Sequence, residues 1–165
     1  DLVRSRGLGD VYKRQAHIAI CGSDVLMEFD HSEIYSPIDL KVGACRLAVA
    51  EPKELAEKED PMQWSHLRVA TKYPNVTKNY FASRGVQAEC IKLNGAMELA
   101  PRLGLCRRIV DLVSSGETLR ANGLVEIEQI AEVTSRLAVN RASLKTRPRG
   151  VNKWLDRFRE ASLAA

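Results

Sequence analysis

The chain has 165 residues, of which 45% are hydrophobic and 28% charged, and its 25 basic and 21 acidic side chains give a net charge of +4. This composition is ordinary for a globular protein and excludes a wholly disordered chain. The apolar runs are only a few residues long, far short of the roughly 20 that cross a bilayer. No apolar stretch follows the basic residues near the N-terminus, so we expect no secretory signal and a cytoplasmic location.

The cysteines and histidines do not have the spacing of a metal site. The four cysteines are far apart, without a CxxC pair, and they are predicted to be reduced thiols in the core. The three histidines have no Cys or His partner at ligand spacing, so we interpret them as ordinary core or surface residues. The basic residues near the C-terminus alternate with acidic ones and lack an aromatic ladder, which favours a solvated helix face over a nucleic-acid interface.

Residues 1–15 have neither helical nor strand periodicity and are predicted to be a tail. After them, short apolar runs alternate with helix-like segments, the rhythm of an α/β protein, which favours a mostly parallel sheet. The predicted strands are 17–21, 45–50, 67–70, 88–93 and 109–113.

The predicted helices between and after these strands have clear boundary signals. Gly85 and Gly104 each follow a helical pattern and are good C-terminal stops. Residues 125–140 are apolar at alternating positions and predict one long strand or two short ones. The C-terminal segment has apolar residues at helical spacing after Pro148, as in an amphipathic helix. The predicted helices are 76–84, 96–103, 119–123 and 149–163.

The segment that follows the last short strand has the features of a phosphate-binding loop. Backbone N–H groups from Ser115 to Leu119 would point the same way at a helix start, where unpaired donors favour an anion. Ser114, Ser115 and Thr118 add hydroxyl donors, and Gly116 permits the tight backbone that a phosphate needs. By itself, however, this pattern also fits a Ser or Thr that merely caps a helix.

Asp111 lies near the end of the strand that delivers the loop. A carboxylate does not favour a phosphate, but it can accept hydrogen bonds from the hydroxyls of a ribose. Together, the acidic residue and the loop predict a site for a phosphorylated sugar. The loop has no lysine after its glycine, unlike a nucleoside-triphosphate P-loop, and no GxGxxG spacing.

The neighbouring segments resemble the ATP phosphoribosyltransferase family. The family's pattern runs from Gly-x-x-Glu-Leu-Ala-Pro through Gly-Leu to Ile-Val-Asp-Leu-Val-Ser-Thr-Gly-x-Thr-Leu and Ala-Asn-Gly-Leu. Further similar segments extend the resemblance over about residues 16–147. The matching segments here are Gly95-Ala-Met-Glu98-Leu-Ala-Pro101, Gly104-Leu105, Ile109 to Leu119 and Ala121-Asn-Gly-Leu124. Four positions depart from the pattern: Ser115 replaces threonine, Cys106-Arg107 replaces Ala-Asp, and Glu117 places a carboxylate in the turn.

The resemblance implies an α/β fold of the periplasmic-binding-protein-like, two-lobe kind. The second lobe is expected at 37–128, with the phosphoribosyl-diphosphate loop. The chain would then return to the first lobe at 129–165 with its C-terminal amphipathic helix. Residues 16–36 would be a remnant of the first lobe and hinge. The first lobe is expected to be largely missing, as in an N-terminally truncated chain.

The resemblance also implies the reaction: transfer of the phosphoribosyl group from phosphoribosyl diphosphate to N1 of ATP, the first step of histidine biosynthesis. Glu98 and Asp111 are the expected catalytic carboxylates, and Arg46 and Lys72 are possible phosphate contacts. Mg²⁺ is expected to be carried mainly by the diphosphate. The residues expected to bind phosphoribosyl diphosphate are Asp111, Ser114, Ser115, Gly116, Glu117, Thr118 and Leu119.

The expected partner is a synthetase-like regulatory subunit, since the chain resembles the short form of the family, which works as a hetero-oligomer. The main alternative from another class is a non-catalytic, periplasmic-binding-like module that captures a small phosphorylated anion. Such a module would have the same fold, because fold alone does not determine function.

Overall fold

The computed structural model describes residues 16–164, and the predicted tail at 1–15 lies outside them. The chain divides into two compact units. Of residues 16–164, the first unit contains those up to Ala44 and those from Val133 onward, and the second spans Cys45–Glu132. The boundaries expected for the second lobe were residues 37 and 128.

The first unit is built on a three-stranded antiparallel sheet in the order β1-β8-β2. Its strands are β1 (Ile18–Gly22), β2 (Ile34–Asp39) and β8 (Ser135–Asn140). The sequence analysis missed β2, which contains Pro37 and has an irregular register between Tyr35 and Ile38. Proline cannot donate to a ladder and is tolerated in a sheet at outer strands and bulges.

In the described part of the first unit, the helices are α1 (Ser23–Phe29), α5 (Arg141–Thr146) and α6 (Pro148–Ala164). The amphipathic C-terminal helix is confirmed by α6. Val151 and Leu155 from this helix are buried with Ile38, Leu137 and Val139 from the sheet. The helix therefore forms one side of the core of this unit, as its apolar spacing predicts.

The second unit is built on a five-stranded sheet in the order β5-β4-β6-β3-β7. Its strands are β3 (Cys45–Pro52), β4 (His66–Thr71), β5 (Gln87–Lys92), β6 (Arg108–Val113) and β7 (Leu124–Val133). Its helices are α2 (Lys53–Ala56), α3 (Pro74–Ser83) and α4 (Glu117–Ala121), with 3-10 turns at Pro61–Gln63 and Met97–Leu99. The region 125–140 thus forms two strands, β7 and β8, one of the two forms predicted.

The α/β class is confirmed, but the expectation of a mostly parallel sheet is wrong. Strand β4 is parallel to β5 and β6, whereas β3 is antiparallel to β6, and all recorded pairs of the first unit are antiparallel. An alternation of strands and helices predicts parallel neighbours only where a crossover joins them, as α3 does between β4 and β5. The predicted helix at 96–103 is also wrong, because only Met97–Leu99 forms a helical turn.

A buried ion pair joins β3 to β6 at the edge where β6 begins. Glu51 is 0% exposed and Arg108 is 3% exposed. Arg108 Nε lies 2.6 Å from Glu51 Oε2, a close contact between opposite charges. Arg108 also pairs with Glu59 and stacks on the Trp64 ring at 4.4 Å. Burial raises the pKa of Glu51, and the charge of Arg108 opposes that rise.

Arg108→Met is expected to lower the free energy of unfolding by about 3–5 kcal/mol, because it leaves a carboxylate buried without its counter-charge. The matched control is Arg68→Met, which removes an exposed pair with Glu89 on the same sheet. An exposed pair contributes only about 0–1 kcal/mol. Urea unfolding of both variants measures the difference, and equal losses would contradict a stabilising role for the buried pair.

Candidate functional site

The turn between β6 and α4 presents the predicted phosphate loop. Strand β6 ends at Val113, which is 3% exposed, and α4 begins at Glu117. Gly116, at the start of the helix, has a φ of 76°, in the left-handed region that favours glycine. Leu119 is 8% exposed and packs in the core of the unit. The loop is therefore fixed by the core on both sides while its turn faces solvent.

The polar groups of the loop are available to a ligand. Ser114, Ser115 and Thr118 are all exposed. The backbone N–H of Glu117 donates to Ser115 Oγ at a long 3.4 Å, which leaves this donor weakly engaged. The first turn of a helix has backbone N–H groups without helical partners, and these groups attract anions. The loop therefore has hydroxyl and N–H donors at one exposed turn.

The two positions where charge departs from the family's pattern, Arg107 and Glu117, leave the anion site of the loop intact. Glu117 is exposed, so its carboxylate can remain in water. Arg107 precedes β6, whereas the loop follows it, and a six-residue strand separates the two ends by about 20 Å. Arg107 pairs instead with Glu59 at 2.6 Å. The positive charge in this position therefore lies at the opposite edge of the sheet.

Asp111 lies on β6, opposite Ala48 of β3, three residues before the loop. Its Oδ1 accepts a hydrogen bond of 2.8 Å from the backbone N–H of Leu112. Burial raises the pKa of Asp111 above its usual value, and the nearby Glu98 raises it further, while the Leu112 hydrogen bond and Lys72 lower it. The Glu98 carboxylate and the Lys72 ammonium thus both lie within electrostatic reach of Asp111.

The segment that carries Glu98 is anchored in the same core as the loop. Ala96, just before the Met97–Leu99 turn, has a φ of 55°. Met97 is 3% exposed and belongs to the same buried cluster as Val113 and Leu119. The backbone geometry turns the chain, and the buried Met97 fixes the next residue, Glu98, relative to the loop.

Lys72 follows β4, which runs parallel to β6 with Thr71 opposite Val110. The carboxyl ends of parallel strands meet at one edge of a sheet, the common place for a ligand in an open α/β fold. Lys72 is exposed, and its Nζ lies 5.9 Å from the centre of the Tyr73 ring. Its charge is thus at the same edge as Asp111 and the loop.

Arg46 is also at this edge, because β3 is antiparallel to β6 and Arg46 lies opposite Val113. Its guanidinium is engaged by two protein groups: it forms a bidentate pair with Glu126 and donates to the backbone carbonyl of Ser114. The hydrogen bond to Glu126 raises the pKa of Arg46. Sequence reasoning did not identify Glu126, whose only signal was its place in an alternating strand.

The other polar features of the second unit lie away from the loop. Two clefts of about 570 and 360 Å³ share Arg68 and Arg107 in their linings, at the edge where β6 begins. Among residues 16–164, no group of three or more His, Cys, Asp or Glu residues could hold a metal ion. No helix in this part of the chain is long and apolar enough to span a membrane.

Comparison with known proteins identifies the family. The sequence model of the family described as HisG, ATP phosphoribosyltransferase, matches residues 9–160. The chain belongs to the ATP phosphoribosyltransferase family. It is 69% identical over 146 residues to the ATP phosphoribosyltransferase of Paramagnetospirillum magneticum, covering 88% of this chain and 67% of the relative. The corresponding enzyme of Rhodospirillum rubrum is 65% identical, with 88% and 64% covered. The chain thus spans about two thirds of the length of these relatives.

Solved structures agree with this family and with the two-lobe fold class. The ATP phosphoribosyl transferase (HisG:HisZ) complex from Thermotoga maritima is similar with a TM-score of 0.81 and 33% identity, over 94% of this chain and 75% of that one. The ligand-binding core of GluR0 with L-glutamate has a TM-score of 0.57 and 10% identity, over 94% and 74%. The latter similarity shows the fold alone, which is periplasmic-binding-protein-like.

Proposed function

We propose that this chain contributes the phosphoribosyl-diphosphate site of an ATP phosphoribosyltransferase. The enzyme joins N1 of the adenine of ATP to the anomeric carbon of the sugar and releases pyrophosphate, as the first step of histidine biosynthesis. The observation that supports this most directly is the grouping of the loop at 114–119 with Asp111, Glu98 and Lys72 at one edge of the sheet, in a chain of this family.

In the proposed complex, the loop holds the 5′-phosphate of the substrate. The hydroxyls of Ser114, Ser115 and Thr118 and the N–H groups at the start of α4 donate to the phosphate oxygens. The phosphate is remote from the bond that breaks, so this binding orients the ribose ring and does not itself stabilise the leaving group. Orientation of the ring presents its anomeric carbon to the adenine.

Asp111 and Glu98 act on the ribose. As the bond to pyrophosphate breaks and the bond to N1 forms, positive charge develops on the ribose ring, and fixed carboxylates nearby stabilise that charge. Asp111 also accepts hydrogen bonds from the ribose hydroxyls. The partial burial of Asp111 strengthens both interactions, because the local dielectric constant is lower than that of water. Neither carboxylate forms a covalent intermediate.

Mg²⁺ enters as part of the diphosphate substrate in this proposal. Mg²⁺ is commonly bound by one or two carboxylates together with substrate phosphates, and a pair such as Glu98 and Asp111 fits that pattern. When bound with the substrate, the ion would supply positive charge that offsets the charge of the diphosphate. Lys72, exposed at the same edge, is placed to add a positive charge beside the phosphates.

We infer the partner and the location from what the family suggests. The similar structure from Thermotoga maritima is a HisG:HisZ complex. We therefore propose that this chain acts as a short-form catalytic subunit in a hetero-oligomer with a regulatory, synthetase-like subunit. The reaction would take place in the cytoplasm with the other steps of amino-acid synthesis.

Isothermal titration with Mg²⁺-phosphoribosyl diphosphate, with and without ATP, tests the proposal. We expect saturable binding of the sugar diphosphate at one site per chain, and an affinity that changes when ATP is present. Ribose 5-phosphate and inorganic phosphate serve as controls for the parts of the ligand. Absence of saturable binding would overturn the proposal. Binding of phosphate without any preference for the sugar diphosphate would favour a non-catalytic anion-binding module.

A further inference from the structure

Arg46 contacts the phosphate loop from the neighbouring strand without being free to bind a ligand. It is the second residue of β3 and lies opposite Val113, the last residue of β6. Ser114, which follows Val113 in the chain, is the first residue of the loop. On the other side of β3, the sheet continues with β7, which carries Glu126. Arg46 is therefore placed between the start of the loop and an acidic residue two strands away from β6.

The guanidinium of Arg46 makes three hydrogen bonds. Its Nη1 donates to the Ser114 carbonyl at 2.9 Å, while Nε and Nη2 donate to the two carboxylate oxygens of Glu126 at 2.7 and 2.6 Å. The side chains of Arg46 and Glu126 are only 33% and 26% exposed. A bidentate pair holds the planar guanidinium in one orientation. The hydrogen bond to the Ser114 carbonyl therefore comes from a donor whose orientation is fixed.

The bond to Ser114 has an electrostatic consequence for the loop. A carbonyl oxygen carries partial negative charge and repels a phosphate, whereas the N–H groups of the following residues attract it. By holding the Ser114 carbonyl toward β3, Arg46 keeps this oxygen from turning toward the anion. Glu126 neutralises the charge of Arg46, which disfavours a role as a separate phosphate ligand.

We propose that Arg46 is a positioning residue for the phosphate loop and that Glu126 holds it in that role. The expected effect on ligand binding rests on the proposed function. The expected effect on the loop backbone does not, because it can be measured without a substrate. The residue acts through the loop backbone and does not contact the phosphoribosyl group.

The chain offers a matched control in the Arg84–Glu128 pair. Arg84 Nη1 lies 2.6 Å from Glu128 Oε1, with side chains 48% and 20% exposed, and Glu128 is two residues after Glu126 on β7. The Tyr80 hydroxyl donates a hydrogen bond to Glu128 Oε2, and Arg84 lies over the Tyr80 ring, so this pair is engaged with Tyr80 rather than with the loop. Arg46→Met and Arg84→Met thus each remove an arginine whose partner carboxylate lies on β7, but only the first releases the loop.

Amide hydrogen exchange of the full chain without ligand tests the positioning role first. We expect Arg46→Met to speed exchange of the hydrogen-bonded amides of Arg120, Asn122 and Gly123, in the turn that the loop begins, by about tenfold, the loss of one charged hydrogen bond, while Arg84→Met leaves them unchanged. Glu126→Gln keeps one acceptor and should give an intermediate effect. Equal exchange at Arg120, Asn122 and Gly123 in wild type and Arg46→Met would overturn the proposal, as would an equal increase in Arg84→Met.

Calorimetry with phosphoribosyl diphosphate and with inorganic phosphate gives the second readout. Arg46→Met should lower the affinity for both ligands by about tenfold. Arg46→Lys should recover only part of that loss, because lysine lacks the planar guanidinium that bonds Glu126 and Ser114 together. Arg84→Met should retain wild-type affinity. If wild type binds neither ligand, the proposed function fails while the exchange comparison still decides the role of Arg46. Unchanged affinity in Arg46→Met would overturn the inference even with binding intact.

Discussion

Gly116→Val should weaken binding of phosphoribosyl diphosphate by about tenfold to a hundredfold, as expected from the strain that the valine introduces into the loop backbone. Gly116 has a φ of 76°, where a β-branched residue is a genuine outlier that costs about 1–3 kcal/mol. The added Cβ would lie 3.2 Å from Arg120 Nη1, a flexible group that can move, so the backbone conformation is the main obstacle. If the backbone shifts to negative φ, the N–H groups of the next residues no longer face the phosphate.

The matched control is Gly85→Val. Gly85 has a φ of 75°, and a Cβ there would meet nothing within 4 Å. It lies between α3 and β5, at the end of the sheet opposite the loop. Both variants should lose stability in thermal unfolding, but only Gly116→Val should lose affinity for the sugar diphosphate and for inorganic phosphate in calorimetry. Retained affinity in Gly116→Val would remove the loop from the site.

Asp111→Asn should separate recognition of the ribose from recognition of the phosphate. Loss of a charged acceptor for the ribose hydroxyls is expected to weaken phosphoribosyl diphosphate about tenfold or more, since hydrogen bonds to charged groups contribute about 1.5–3 kcal/mol. Affinity for pyrophosphate should not fall, because a negative charge near a polyanion has been removed. A parallel loss for both ligands in calorimetry would contradict a role on the ribose.

The same variant should become more stable than wild type as the pH rises. The folded-state pKa of Asp111 is raised above the unfolded value near 3.8, chiefly by burial, so the folded chain holds its proton more tightly than the unfolded chain. Below pH 3.8, both states are protonated and the asparagine variant should match wild type. As the pH rises through the folded pKa, ionisation penalises only the wild type. Urea unfolding between pH 3.5 and 7 measures the difference, and a gap that shrinks with pH would refute this account.

The loop could be predicted because its signals are local. Gly116, the surrounding hydroxyls and the buried Leu119 are close in sequence, and the structure has the predicted turn with a positive φ at the glycine. The ends of the flanking elements followed from periodicity to within a few residues. The pairing of Arg46 with Glu126 joins residues 80 apart and depends on β3 lying between β6 and β7. No local pattern indicates that order of strands.

The strand directions and the missed strand have related physical causes. The segment Ile34–Asp39 contains a proline and lacks clean alternation, yet it forms β2 because β8 supplies the partner backbone. Likewise, β3 is antiparallel to β6, and the alternation of strands and helices along the sequence does not specify this direction. Arg107 is a further example: it immediately precedes β6, and its distance from the loop follows from the length and direction of that strand. Sequence patterns indicate elements and turns, whereas tertiary pairing decides their directions and neighbours.

Titration of the ¹⁵N-labelled chain with Mg²⁺-phosphoribosyl diphosphate, followed by amide chemical shifts, tests the site most directly. We predict saturable shifts concentrated at the amides of 114–119 and near Asp111, with smaller shifts around Glu98 and Lys72. The amides of Glu59 and Arg107, at the other edge of the sheet, should not move. Absence of saturable shifts at the loop, or shifts centred on Arg107, would contradict the account.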